Sequence, residues 1–216
     1  MAVVFDAKTA SFTEGNGVAT ISISNMTVGS GANSALLCLV WFSGTDALPA
    51  GLTVVWDNGG TNQSMTQVVS TNFGDSNINA GGAIFGLVAP TSGNKTLKIT
   101  WTGNQEVHAC AVSFTGVNQT GGATSFAHGN TNTASANTGT ITVTSATGNM
   151  VVAGDTNNQT GWGAISGTTI ATTTTGPNLG CVGSYTAGAA SVVSTFANSP
   201  ATSCIYEAFG CDVEAS

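Results

Sequence analysis

Apolar and hydroxyl-bearing residues trade places along much of this chain at the two-residue spacing of a β-strand. In Thr20-Ile21-Ser22-Ile23-Ser24 the isoleucines fall on one side and the hydroxyls on the other, which is the pattern of a strand packed on one face and wet on the other. Thr140-Ile141-Thr142-Val143-Thr144 repeats it far down the chain. Leu36 to Phe42 is instead an unbroken apolar run, fitting a central strand covered on both faces. Leu52 to Trp56 and Met65 to Val69 flank Asp57-Asn58-Gly59-Gly60, a hairpin in which Asn-Gly supplies the positive φ angles. Further strands are predicted over residues 83–88, 96–102, 107–114, 150–153, 165–172, 179–185, 189–196 and 204–209. No segment carries a 3.6-residue apolar stripe, and threonine and glycine both disfavour helix interiors.

Turn signals recur roughly every eight to twelve residues, the spacing of a sandwich or barrel. The pattern predicts one all-β domain over residues 1–216, an antiparallel two-sheet β-sandwich. Leu37, Leu39, Trp41, Val54, Ile99, Val112, Phe114, Val143 and Val151 are its expected core. A polar stretch near residues 121–139 divides two strand-rich halves and reads as a long connection.

Composition narrows the function classes. The 216 residues include no arginine, three lysines and 34 threonines. Charged residues make up 6%, against roughly 25% in an ordinary soluble domain. Without guanidinium groups there is no fork to clamp a phosphate, and no basic patch to displace counterions from nucleic acid. The net charge of −7 repels both DNA and anionic membranes. No apolar run approaches the ~18 residues of a membrane span, and Met-Ala-Val-Val-Phe-Asp has no secretory signal pattern. A reducing cytosol at synthesis is the expected setting.

The candidate chemistry is sparse. His108 sits mid-strand at the parity of Cys110 and Val112, as a satisfied core residue would. His128, after Phe126, reads as a loop or contact residue. Asp57, Glu106, Asp155 and Glu207 stand isolated in sequence, without the facing pair a glycosidase needs. Asp212 and Glu214 read as a solvated acidic tail. Asp75-Ser76-Asn77-Ile78-Asn79 alternates oxygen ligands without an EF-hand's glycine and glutamate. Five cysteines show no CxxC spacing; Cys38 and Cys110 read as buried thiols, with a disulfide conceivable only among Cys181, Cys204 and Cys211. Trp41, Trp56 and Trp101 read as core. Trp162, flanked by Gly161 and Gly163, is the tryptophan placed to meet a sugar ring. No catalytic, cofactor or metal-ligating set is expected; Trp162 and His128 are the candidate contact residues.

Four segments carry a resemblance. They are Asn33-Ser34-Ala35-Leu36-Leu37, then Leu87-Val88-Ala89-Pro90-Thr91-Ser92-Gly93-Asn94-Lys95-Thr96-Leu97, then Ala111-Val112-Ser113-Phe114-Thr115-Gly116-Val117-Asn118-Gln119-Thr120, and Thr142 to Val152. In this order the chain resembles a jelly-roll-type β-sandwich module of tailed-phage virion proteins and large bacterial surface proteins. Gly121-Gly122 departs from that pattern, where a Thr-Pro is usual. The resemblance implies a virion structural role: a capsid decoration protein on the outer surface, bound to the major capsid protein or other virion proteins. A tail- or fibre-associated part, or an adhesin module attaching to host surface glycans, is the alternative. The low-charge surface implies a homo-oligomer, a trimer first, with no nucleic acid or membrane as partner.

Overall fold

The computed structural model describes the chain outside residues 44–47, 76–77, 158–160, 174–179 and 200–203, and outside the side chains of 72–75, 78–79 and 204. The first ten strands are β1 (Val4–Lys8), β2 (Thr13–Gly15), β3 (Thr20–Val28), β4 (Ala35–Ser43), β5 (Thr53–Trp56), β6 (Gln63–Ser64), β7 (Thr66–Asp75), β8 (Ile78–Val88), β9 (Gly93–Thr100) and β10 (Glu106–Thr115). One turn of 3-10 helix (Gly122–Ser125) precedes β11 (Asn130–Ala136), β12 (Thr138–Thr144), β13 (Met150–Asn157), β14 (Trp162–Ile165), β15 (Thr168–Thr173), β16 (Gly180–Ala187), β17 (Ser191–Asn198) and β18 (Cys204–Val213). Every expected strand is present. The run expected over 165–172 is broken by a turn at Gly167, whose φ of +76° suits a residue without Cβ.

The protein is an all-β sandwich, and its strands sort into four antiparallel sheets where the alternation predicts two. β1-β10-β4-β8-β7, with β2 also on β10, form one sheet, and β3-β9-β5-β6 a second. β11-β18-β13-β16-β15 form a third, and β12-β17-β14 a fourth. The two halves repeat one strand order. In the first, β1 pairs with β10, β3 with β9, β4 with β8 and β5 with β6. In the second, β11 pairs with β18, β12 with β17 and β13 with β16. Such nesting of first strand on last, second on next-to-last, is jelly-roll order. Alternation reports which side of a strand is packed but cannot count the layers above it, so the duplication is invisible in the pattern.

Three cores set the stacking order. Leu36, Cys38, Val40 and Phe42 pack with Ile23, Val54, Leu97 and Ile99 between the first two sheets. Val143, Val151, Ala153 and Phe196 pack between the third and fourth. Leu37, Leu39 and Trp41 face Val152, Phe209 and Cys211 between the first and third. The β3/β9 sheet and the β12/β17 sheet are therefore the outer layers of a four-layer stack. All nine expected core residues are buried.

Glycines let the inner sheets meet closely. A Cβ on Gly154 would lie 2.6 Å from the Trp41 ring, and one on Gly82 would enter the Phe209 ring. Trp41 and Phe209 pack against each other at 5.5 Å between ring centroids. Fully burying each such side chain contributes roughly 2–3 kcal/mol.

The polar stretch 121–139 is largely structured. β11 pairs with β18 along its whole length. The Asn130 and Asn132 side-chain amides donate to the carbonyls of Thr142 and Thr140, each at 2.8 Å. Side-chain amides take the place of apolar contacts here, so no hydrophobic signal marks the strand. The expected hairpin of 52–56 with 65–69 is not formed: β5 pairs with β6, residues 66–75 cross to the first sheet as β7 beside β8, and the positive φ angles of the loop fall at Asp57 (54°) and Gly59 (88°) rather than at Asn58. Asp57 caps that loop, accepting from the Thr61 amide and hydroxyl and pairing with Lys95 at 3.4 Å. The Thr61 hydrogen bonds, with Lys95 nearby, hold its carboxyl below the usual range.

Candidate functional site

The chain has few titratable groups, and the fold gathers several that sequence separates. His108 on β10 lies opposite Trp41 of β4 on one side and Glu14 of β2 on the other. It is buried. Its Nε2 is 2.9 Å from Glu106 Oε1, and its Nδ1 is 3.4 Å from Glu14 Oε1. Phe12 stands edge-on to the imidazole. Thr173 of β15 donates its hydroxyl to Glu14 at 2.7 Å, tying this end of the inner interface to the second half of the chain. Ser43 donates to Glu106 at 3.4 Å. Both imidazole nitrogens face carboxylates, so neither is turned to a hydroxyl nucleophile as a Ser-His arrangement requires. The arrangement brings an imidazole and two carboxylates together within the first sheet.

A second carboxylate pair adjoins the same interface. Asp155 of β13 and Glu207 of β18 sit on neighbouring strands, with Thr156 directly opposite Glu207. Glu207 accepts the hydroxyl proton of Thr71 from β7 of the facing sheet. Burial pushes its carboxyl from the ordinary 4.5 up to about 7, against the lowering effect of Thr71. Asp155 lies beside Gly139 and Tyr206 in the outer core. It is fully buried, and neither oxygen accepts a well-formed hydrogen bond among the described residues. Burial, with the neighbouring Glu207 charge, raises its carboxyl well above the usual range. Isolated in sequence, Glu106 and Glu207 acquire neighbours through the fold, His108 and Ser43 for one and Thr71 for the other. Even so, Asp155 and Glu207 address opposite faces of one sheet rather than a shared cleft, and no glycosidic bond could lie between them.

The two candidate contact residues occupy different places. Trp162 begins β14, half-buried, with its ring edge-on to Phe196 at 6.4 Å and its Nε1 enclosed. Much of the indole is thereby engaged in packing. His128 is exposed, with a φ of +51°. It stands beside Asp212 and Glu214 at the end of β18, the ligand-type atoms of all three lying within 4.8 Å of one another. The acidic end is not a solvated tail: Asp212 is 1% exposed. Ser145 and Asn149 each donate to one of its oxygens at 2.6 Å. Burial raises the Asp212 carboxyl, offset by those two hydrogen bonds. Sequence could not bring His128 here, because the approach depends on backbone pairing between residues 85 or more apart, Asp212 N–H to Ala127 O and Glu214 N–H to Ser125 O.

Cys38, Cys110, Cys181 and Cys211 are buried free thiols. A disulfide through Cys204 lies outside the described side chains, as does most of the Asp75–Asn79 segment. A surface cleft of about 300 Å³ is lined by Lys8, Thr9, Thr13, Ile23 and Met26. No helix among the described residues is long and apolar enough to cross a membrane.

No family model matches the chain, and no curated protein does. Among solved structures it is similar to oxalate decarboxylase from Bacillus subtilis at pH 4.6, with 8% identity and a TM-score of 0.23, covering 100% of this chain and 77% of that one. So slight a likeness bears on neither fold nor function.

Proposed function

We propose that this chain is a non-enzymatic structural component of a phage virion, a capsid decoration protein seated on the outer surface. The observation that carries the reading is the character of the two outer sheets. β3 presents Thr20, Ser22, Ser24 and Thr27 to solvent, while β12 and β17 present Thr142, Thr144, Ser191 and Val193. Such neutral hydroxyl faces lose little on desolvation if their hydrogen bonds are met in the contact. Apart from Lys95 and Lys98 on β9, they lack the long cationic side chains whose ordering costs up to ~2 kcal/mol each. The acidic balance favours a station away from packaged DNA. The partners are the major capsid protein and further copies of this chain, a trimer first.

The test is binding of the purified protein to capsid shells, alongside a glycan array. Retention on shells with no glycan affinity supports the proposal. Glycan binding lost in Trp162→Ala supports an adhesin module instead, and retention on tails or fibres alone moves the station. Sedimentation at low and high ionic strength tests the assembly. An oligomer held by neutral contacts persists in salt, and one that dissociates in moderate salt speaks against it.

A further inference from the structure

We propose that His128, Asp212 and Glu214 form a binding site for a divalent first-row transition ion, best matched by Zn²⁺. The proposal stands apart from the virion reading and rests on the local arrangement alone. One imidazole and two carboxylates offer nitrogen and oxygen ligands, and their atoms lie within 4.8 Å of one another. Around an ion with bonds of about 2.1 Å, tetrahedral ligands sit roughly 3.4 Å apart. The exposed His128 and half-buried Glu214 can close that difference by side-chain rotation, while Asp212 is the fixed member.

Asp212 is fixed from outside the cluster. Ser145 Oγ and Asn149 Nδ2 each donate to one of its oxygens at 2.6 Å. Asn149 is itself held by the Ala215 amide, which donates to its Oδ1 at 2.9 Å. Each carboxylate oxygen keeps a further lone pair, so the hydrogen bonds orient the ligand without consuming it, as outer partners do at metal sites. A second, independent observation is the charge balance. The chain's three lysines, Lys8, Lys95 and Lys98, all belong to strands of the first half, and Lys95 is engaged with Asp57. Asp212 and Glu214 bring two carboxylates to one place, with His128 the nitrogen donor beside them. A buried carboxylate facing another with no lysine at hand calls for a cation. The imidazole selects against calcium and magnesium, which prefer all-oxygen shells.

Calorimetric titration of the full chain with Zn²⁺, and separately with Ca²⁺, tests the site. His128→Gly removes the ligand while suiting the positive φ, and Glu214→Gln removes a charge at a half-buried position. One Zn²⁺ per chain is expected, weakened about tenfold or more by either substitution, with Ca²⁺ weaker than Zn²⁺. Co²⁺ should give a visible spectrum without the intense thiolate band that cysteine ligation produces. Equal Zn²⁺ affinity in His128→Gly, loss of binding in Cys204→Ser, or no binding at about 1 mM Zn²⁺ would each overturn the proposal.

Discussion

Val117 and Ala215 form an antiparallel bridge with each other, and each stands two residues beyond the last strand of its half, after β10 and β18 respectively. Equivalent positions pairing with one another place a local two-fold axis between the halves. The neighbouring bonds obey it: Asn118 N–H donates to Glu214 O, and Ser216 N–H donates to Gly116 O, both at 2.9 Å. Side chains also cross between the halves, Thr71 of β7 donating to Glu207 of β18 and Thr173 of β15 donating to Glu14 of β2. The halves meet as the subunits of an isologous dimer do, joined in one chain.

That geometry makes the covalent link between the halves dispensable once they have folded. A protease site inserted between exposed Ala123 and Thr124 should give a nicked protein that still elutes as one species in gel filtration. The shared inner core and the closing bridge hold it. Separation of the fragments without denaturant would show that the inner interface is weak.

The inner interface has no room for added methyl groups. Gly154→Ala sets a Cβ 2.6 Å from the Trp41 ring and should destabilise by about 1–3 kcal/mol, the usual range for overpacking. Urea unfolding monitored by tryptophan fluorescence reads it directly. Gly163, whose nearest neighbours lie 3.5 Å away, is the control, and Gly163→Ala should change little.

Stability should fall as the solution is made more alkaline. Glu207 titrates near 7 in the folded protein against an ordinary 4.5, so between those values the folded state holds a proton that the unfolded state has released. The stabilising proton is fully present below about pH 4.5 and lost by the time pH passes 7, a change on the order of 3 kcal/mol. Asp155 acts in the same direction. Urea midpoints at pH 5 and pH 8 measure the slope, and Glu207→Gln should flatten it by raising stability at pH 8. An unchanged slope in that variant would place the effect elsewhere.

Thiol reagents should find little to attack. Burial raises Cys38, Cys110, Cys181 and Cys211 well above an ordinary thiol, and the thiolate is the reactive form. With an aromatic disulfide reagent at pH 8 these four should react only after denaturant is added. Rapid labelling of any of them in the native state, mapped by mass spectrometry, would show that the cores open.

Much of the strand layout could be read from the chain because burial on one face leaves a two-residue period, as at Ile21 and Ile23 or Val143 and Ile141. β1, β2, β6, β11 and β14 escaped because they are short or edge strands held by backbone pairing and, at β11, by amide side chains such as Asn130 and Asn132. The number of sheets escaped for a different reason. Leu36 to Phe42 signals cover on both faces, and a neighbouring sheet from another half of the chain covers a strand just as its own partner would. Of the two candidate contact residues, Trp162 is spent largely on Phe196. His128 acquired its neighbours through pairing of distant backbone, which carries no local sequence signature.

Sheets packed face to face lie about 10 Å apart, so the outward hydroxyl faces of β3 and of β12 with β17 stand roughly 30 Å from each other across the stack and point opposite ways. They are not copies of each other: the β3 face carries Lys98 of β9 opposite Ser22, whereas the β12 and β17 face has no lysine. The molecule is in that sense a tile with two outward faces of different charge. Two weak attachments on one rigid body act together whenever their targets are spaced to match, raising avidity without any tighter single contact. Targets at another spacing would engage only one side at a time.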